Sequence, residues 1–279
     1  MKLQHYQDYT QEDTARSESA LLTVWAALQD LTDDMVLVGG LVPRYICRRS
    51  FALQPVTMDV DLAVDLGISS GLYDTTKTRL INAGFEWKEK RFVKQLGNIS
   101  VFLDLLTDKP DANAPDSAMV DDVPVSAIFG VSRALTLYRK IVLSGKDLYG
   151  ANFTETVKVC EVGPFICLKL QAYKNRAQSK DVFDFVRTLR DYDGGTAAAV
   201  AAFLAEQHGN LAFEGAVETL RERFKDANAK GPVQYADFCT GGLSPETSGD
   251  AAYIREQYAN EAVDAAFALI TAVKTGAAP

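Results

Sequence analysis

Histidine is scarce in this 279-residue chain. There are only two, His5 and His208, beside four cysteines, Cys47, Cys160, Cys167 and Cys239, none of them in a CxxC pair. No zinc-ligand spacing results, and no Cys/His or Ser/His/Asp arrangement for nucleophilic catalysis; the cysteines read as buried thiols. Long apolar runs are missing too. No window approaches the roughly 18 consecutive apolar residues of a membrane span, and the opening MKLQHYQDYTQED lacks the basic-then-apolar plan of a signal peptide. The expectation is a cytoplasmic protein without membrane contact.

An excess of positive charge is the third absence. The net charge of −8 and pI near 4.9 argue against a protein whose whole surface neutralises phosphates. Basic residues do cluster locally, at Arg44, Arg48 and Arg49, at Lys88, Lys90, Arg91 and Lys94, and at Lys169, Lys174, Arg176 and Lys180. Taken singly, each reads as a solvated face, and they leave room for a local basic groove.

What is present is a globular composition, 47% hydrophobic and 24% charged, with length enough for two packed domains. Helical spacing over 13–31, strand-like "MVLVGG" at 35–40, helical spacing again in "VPRYICRRSF" and a second strand at 56–64 open the chain. A helix over 70–83 is predicted to end at Gly84, and "RFVKQL" and "ISVFLDLL" form a hairpin across Gly97-Asn98. Residues 108–122 read as a loop, and "RKIVL" and "TVKVCEV" as a second hairpin. From Pro164 onward helical spacing dominates, with 231–250 as a loop before a last helix over 250–274. The fold class is therefore α+β: a mixed-sheet core over 1–160 with an N-terminal helix, then a helical region over 161–279.

The chemistry is concentrated in "VTMDVDLAV" at 56–64. Alternation puts Asp59 and Asp61 on one face of a strand, roughly 7 Å apart at about 3.3 Å rise per residue, with Val60 and Leu62 toward the core. Two like charges on one face repel unless solvent or a cation lies between them, and a hard divalent ion takes such oxygen ligands. Asp104, the single carboxylate of "VFLDLL", would complete the set if its strand lay alongside. Upstream, Gly39-Gly40 ends a strand before a helix, where bare backbone admits a phosphate.

The compound order of these pieces, "LVGG", then "MDVDL", then "FLDLL", resembles the nucleotidyltransferase superfold related to DNA polymerase beta. Eighteen residues separate Gly40 from Asp59, a longer gap than is usual there. The later "LKLQAYKNRAQSKDVFDF" resembles the segment that follows the core in the AbiEii/AbiGii toxin-like branch, through Lys169, Ala172, Arg176, Lys180, Asp181 and Asp184. One departure stands out. Relatives often carry Ser or Thr after the glycines, where this chain has Leu41, Val42 and Pro43; Arg44 matches an arginine of the toxin-like branch.

The resemblance implies an enzyme that moves a nucleoside monophosphate from an NTP to an acceptor hydroxyl and releases pyrophosphate. It implies Asp59, Asp61 and Asp104 as ligands of Mg²⁺ or Mn²⁺ and as catalytic residues, with Lys169 clamping the leaving pyrophosphate. It assigns nucleotide binding to Gly39, Gly40, Arg44, Arg176, Lys180 and Asp181. Lys169 and Arg176, two helical turns apart, would then face one groove about 10 Å long. The branch further implies an RNA or tRNA acceptor and an antitoxin partner, in a toxin–antitoxin or defence setting. A small-molecule acceptor such as an antibiotic hydroxyl is the second enzymatic reading, and an inactive nucleotide-binding or interaction module the third.

Overall fold

A computed structural model describes residues 5–6, 10–48, 57–65, 70–111, 113–120, 123–241 and 250–275. Arg49, the segment 242–249 and the tail beyond 275 lie outside these described residues. The chain runs through α1 (Gln11–Leu28), β1 (Met35–Val38), α2 (Pro43–Ile46), β2 (Asp59–Val64), α3 (Ser70–Asn82), β3 (Glu86–Lys88), β4 (Arg91–Leu96) and β5 (Ile99–Asp108). It continues through β6 (Ser117–Val120), β7 (Val123–Ile128), α4 (Val131–Thr136), β8 (Tyr138–Lys146) and β9 (Asn152–Cys160). Helices follow: α5 (Val162–Arg176), α6 (Ser179–Asp191), α7 (Thr196–Ala205), α8 (Phe213–Arg223), α9 (Lys230–Thr240) and α10 (Ala251–Thr275). The class is α+β, a mixed sheet followed by helices.

The described residues fall into two compact units, one of 11–45 with 57–161, the other of 5–6, 10, 46–48 and everything described from 162 onward. In the first, the strand order is β3-β4-β5-β2-β1-β9-β8, with β7 paired to β5 and β6 paired to β7. β1 runs antiparallel to β2 and parallel to β9, and β2 runs parallel to β5. Alternation on β2 and β5 sorts their side chains. Val60, Leu62, Val101, Leu103 and Leu105 are buried, while Asp59, Asp61 and Asp104 are half-buried on the other face. α1 packs its buried Leu21, Val24 and Trp25 stripe in contact with β2, β8 and β9. Each such buried aliphatic or aromatic side chain stabilises the fold by about 1.5–3 kcal/mol.

Three sequence expectations are corrected here. The helix after the glycines is one turn only, Pro43–Ile46, because Cys47 bridges Tyr192 in extended geometry and the Arg48 amide donates to the Asp191 carbonyl at 2.8 Å. The segment read as a loop over 108–122 contains β6, recruited by β7, which itself pairs with β5 through Leu106 and Ser126. The first half of the supposed loop over 231–250, residues 231–240, belongs to the helix α9. Pro232 sits in its first turn, where a missing N–H costs nothing, and Gly241 at φ +64° ends it. Its buried face carries Tyr235, Ala236 and Phe238, so glycine and proline mark the limits of a helix here, not a loop.

The second unit is helical. α5 touches α6, α7 and α8, and α9 touches α6 and α10. Its core is aromatic: Phe183 packs on Phe238 with ring centroids 5.0 Å apart, and Tyr173 meets Phe224 edge to face at 5.8 Å. Among the described residues, no helix is long and apolar enough to cross a membrane.

Candidate active site

β2 and β5 are in parallel register with Asp61 opposite Asp104 and Asp59 opposite Phe102. Because side chains at paired positions share a face, all three carboxylates rise from the same side of the sheet. The side chain of Asp59 is 42% exposed and that of Asp104 26%, so the cluster is at the surface, partly screened from water.

The glycine turn abuts this cluster. Val38 of β1 is paired with Asp61, and the next residue, Gly39, takes φ +74°. A Cβ on Gly39 would lie 2.0 Å from Asp61 Oδ2 and 2.7 Å from its Cγ. Glycine is thus required twice, by the left-handed backbone and by the carboxylate pressed against it. Gly39 to Leu41 form a single 3₁₀ turn closed by the Val42 amide donating to the Gly39 carbonyl at 3.3 Å. With so short a helix behind it, the turn can offer an anion its backbone amides but little dipole.

Arg91, the first residue of β4, is the functional neighbour that sequence reasoning missed. Its Nε donates to Asp104 Oδ1 at 3.0 Å, its Nη2 to Asp104 Oδ2 and to Asp59 Oδ1, the latter at 3.2 Å. The guanidinium carbon stands 4.6 Å from the centroid of the Phe102 ring. Burial works against the charge of Arg91, but the fields of Asp104, Asp59 and Asp61 outweigh it and hold its pKa above the ordinary value. One guanidinium therefore sits among three carboxylates. In the sequence it lies among Lys88, Lys90 and Lys94 and reads with them as a basic surface cluster. A signal for its true place did exist: a two-residue turn at Gly97-Asn98 pairs Leu96 with Ile99, and counting back along the hairpin brings Arg91 opposite Asp104.

Arg44 is engaged elsewhere. It donates to Glu18 Oε2 at 2.9 and 2.6 Å and to the Thr14 carbonyl at 3.1 Å, tying α2 to α1. Lys94, from the same basic cluster as Arg91, is buried, donating to the Ala83 carbonyl and lying 4.7 Å from the Tyr149 ring centroid.

In the helical unit, Lys169, Arg176, Asp181 and Asp184 do come together, around buried carboxylates. Lys169 Nζ donates to Asp184 Oδ2 at 2.7 Å and reaches Asp181 Oδ1 at 3.5 Å. Arg176 grips the same Asp181 through two hydrogen bonds of 2.7 and 2.6 Å. The Lys169 side chain is 7% exposed, and those of Asp181 and Asp184 1% and 0%. Burial opposes ionisation of Lys169, but Asp184 and Asp181 raise its pKa above the usual lysine value. Burial likewise pushes Asp181 up, yet hydrogen bonds and charge from Arg176 and Lys169 hold it below the usual carboxylate range. Two cations balance two anions, and the arrangement locks α5 to α6; the open groove expected between Lys169 and Arg176 is a closed ion cluster. Lys180 is half-buried at the start of α6.

Among the described residues, no three carboxylate, imidazole or thiol groups close into a ready metal cage. The Asp59, Asp61 and Asp104 oxygens nonetheless fit Mg²⁺ or Mn²⁺ in kind, being hard anionic donors, and the guanidinium held between Asp59 and Asp104 shows that this face takes a cation. No family model matches the chain, and no curated protein matches it.

Proposed function

We propose that this chain is a metal-dependent nucleotidyltransferase that moves a nucleoside monophosphate from an NTP to an acceptor hydroxyl. The observation that carries the reading is the register of Asp61 opposite Asp104, with Asp59 on the same face and the Gly39 turn pressed against Asp61. Asp59, Asp61 and Asp104 would hold Mg²⁺ or Mn²⁺, which when bound polarises phosphoryl oxygens and lowers the pKa of an acceptor hydroxyl.

The chain's own residues supply the rest. Gly39, half-buried beside Asp61, brings no side chain to an approaching phosphate, and in this reading Asp104 takes up the acceptor proton. The bond from the α-phosphorus to the β-phosphate bridging oxygen breaks, a bond from the acceptor oxygen to that phosphorus forms, and pyrophosphate leaves. Charge stabilisation at preorganised groups, with no protein nucleophile, is what phosphoryl transfer needs.

The acceptor class in this reading is RNA, tRNA included, in a toxin–antitoxin or defence setting with an antitoxin protein as partner. Lys88 pairs with Arg91 across β3 and β4, and Lys90 lies in the turn between them, so cations border the carboxylate face where a nucleic-acid backbone would approach. The ion pairs of Arg91 also favour a second reading, an inactive nucleotide-binding or interaction module in which the guanidinium permanently neutralises the carboxylates.

The test is incubation of the purified chain with each α-labelled NTP, Mg²⁺ and a total tRNA pool, beside the Asp59→Asn/Asp61→Asn variant. Label on RNA with the wild type alone is the expected result. No label, together with no Mg²⁺-dependent NTP binding by calorimetry, rejects catalysis and leaves the inactive module.

A further inference from the structure

The three carboxylates are not awaiting a cation; they already hold one. We propose that Arg91 is a built-in counter-ion that a divalent metal must displace before the site can work, so that the protein holds its own metal affinity down. The inference rests on the metal-dependent reading above.

Both oxygens of Asp104 and one of Asp59 accept hydrogen bonds from Arg91. Those contacts occupy lone pairs that a metal would need, and a dication entering beside a guanidinium meets like charge at close range. The two cations therefore compete. Charge-assisted, bidentate pairing of this kind is among the stronger hydrogen-bonding arrangements, and half-burial reduces its screening. The seat is reinforced by the Phe102 ring beneath the guanidinium, 4.6 Å away.

The position of Arg91 suits release. It opens β4 directly after a turn at Glu89 and Lys90, with φ of +50° and +68°, so its side chain stands at the end of the ladder rather than in its middle. Displaced from the carboxylates, it remains a cation within a side-chain length of them. There it adds to Lys88 and Lys90 as a partner for a polyanion, so metal loading makes this edge of the sheet more attractive to phosphates. Release of the arginine and arrival of an anionic substrate are then favoured by the same event, a coupling that needs no change in the backbone.

Calorimetric titration of Mn²⁺ into the full chain tests this with wild type, Arg91→Met, Arg91→Lys and Asp104→Asn. Arg91→Met is expected to bind Mn²⁺ roughly tenfold or more tightly than wild type, the loss of one charge-assisted contact being worth about that factor. Arg91→Lys, folded by circular dichroism even if the methionine variant is not, is expected to bind more tightly than wild type by a smaller factor, because an ammonium cannot make the bidentate contact. Asp104→Asn is expected to weaken binding. Arginine variants that bind Mn²⁺ no more tightly than wild type, while Asp104→Asn binds more weakly, overturn the counter-ion role and leave the metal site standing. Absence of Mn²⁺ binding in every protein, or binding indifferent to Asp104→Asn, overturns the metal reading itself and the inference with it.

Discussion

Gly39 and Asp61 are in such close approach that a single methyl group between them would fall 2.0 Å from a carboxylate oxygen. The relationship joins two sequence features that are separated by more than twenty residues, the paired glycines that end β1 and the second aspartate of β2. Antiparallel pairing of Val38 with Asp61 is what brings them together. A glycine at this point is therefore part of the carboxylate site and not just a turn residue.

Gly39→Ala is expected to destabilise the protein by at least about 1–2 kcal/mol from the left-handed backbone alone, with a further cost from displacing Asp61. Urea unfolding of Gly39→Ala in the wild-type and Asp61→Ala backgrounds separates the two. In the Asp61→Ala background most of the steric part should go, only the residue 61 Cβ at 2.9 Å remaining, while the backbone part stays in full. Equal costs in both backgrounds would mean that the carboxylate contact does not constrain residue 39.

Much of this architecture was legible before the structure. Alternation in "MDVDL" and "FLDLL" placed Asp59, Asp61 and Asp104 away from the core, and the glycine-asparagine turn gave the β4–β5 hairpin. Local periodicity could do that because each inference needed only one strand or one turn. The adjacency of β2 and β5 is different, since parallel pairing between distant strands leaves no local mark, and the resemblance supplied it as an expectation. Arg91 is within reach of hairpin counting, but the neighbouring lysines make it read as surface charge. α9 is hidden for the opposite reason: Gly231, Pro232 and Gly241 punctuate a helix whose buried stripe of Tyr235, Ala236 and Phe238 outweighs them. The burial of Lys169 had no signature in spacing, because a helix shows which residues share a face and not what covers that face.

Lys169 holds two buried aspartates, and one oxygen of Asp184, Oδ1, has no hydrogen-bond partner among the described residues. Removing the ammonium leaves Asp184 without its cation in a dry environment, which costs about 3–5 kcal/mol. Lys169→Met is expected to lower unfolding stability by that amount. Lys174→Met, on the same helix as Lys169, breaks an exposed pair with Glu218 of α8 and should stay within about 1 kcal/mol of wild type. Adding Asp184→Asn to Lys169→Met should recover part of the loss. Urea midpoints decide the matter, and a Lys169→Met cost no larger than that of Lys174→Met would contradict a structural role for the cluster.

The same cluster sets a pH window. The pKa of Asp181 is depressed in the folded protein, so its contribution to stability is present above the unfolded aspartate pKa of about 3.9 and is lost as pH falls through the lower folded value. The pKa of Lys169 is raised, so its contribution is complete below the unfolded lysine pKa of about 10.4 and is lost as pH rises through the higher folded value. Between about pH 4 and pH 10, then, this cluster adds a constant increment, and the helical unit should lose it first on the acid side. Unfolding free energy measured from pH 6 down to pH 3 should fall more steeply for wild type than for Asp181→Asn, which has no proton to gain at that position. Parallel curves for the two proteins would show that Asp181 binds its proton equally well folded and unfolded, and the ion cluster would then contribute nothing to acid sensitivity.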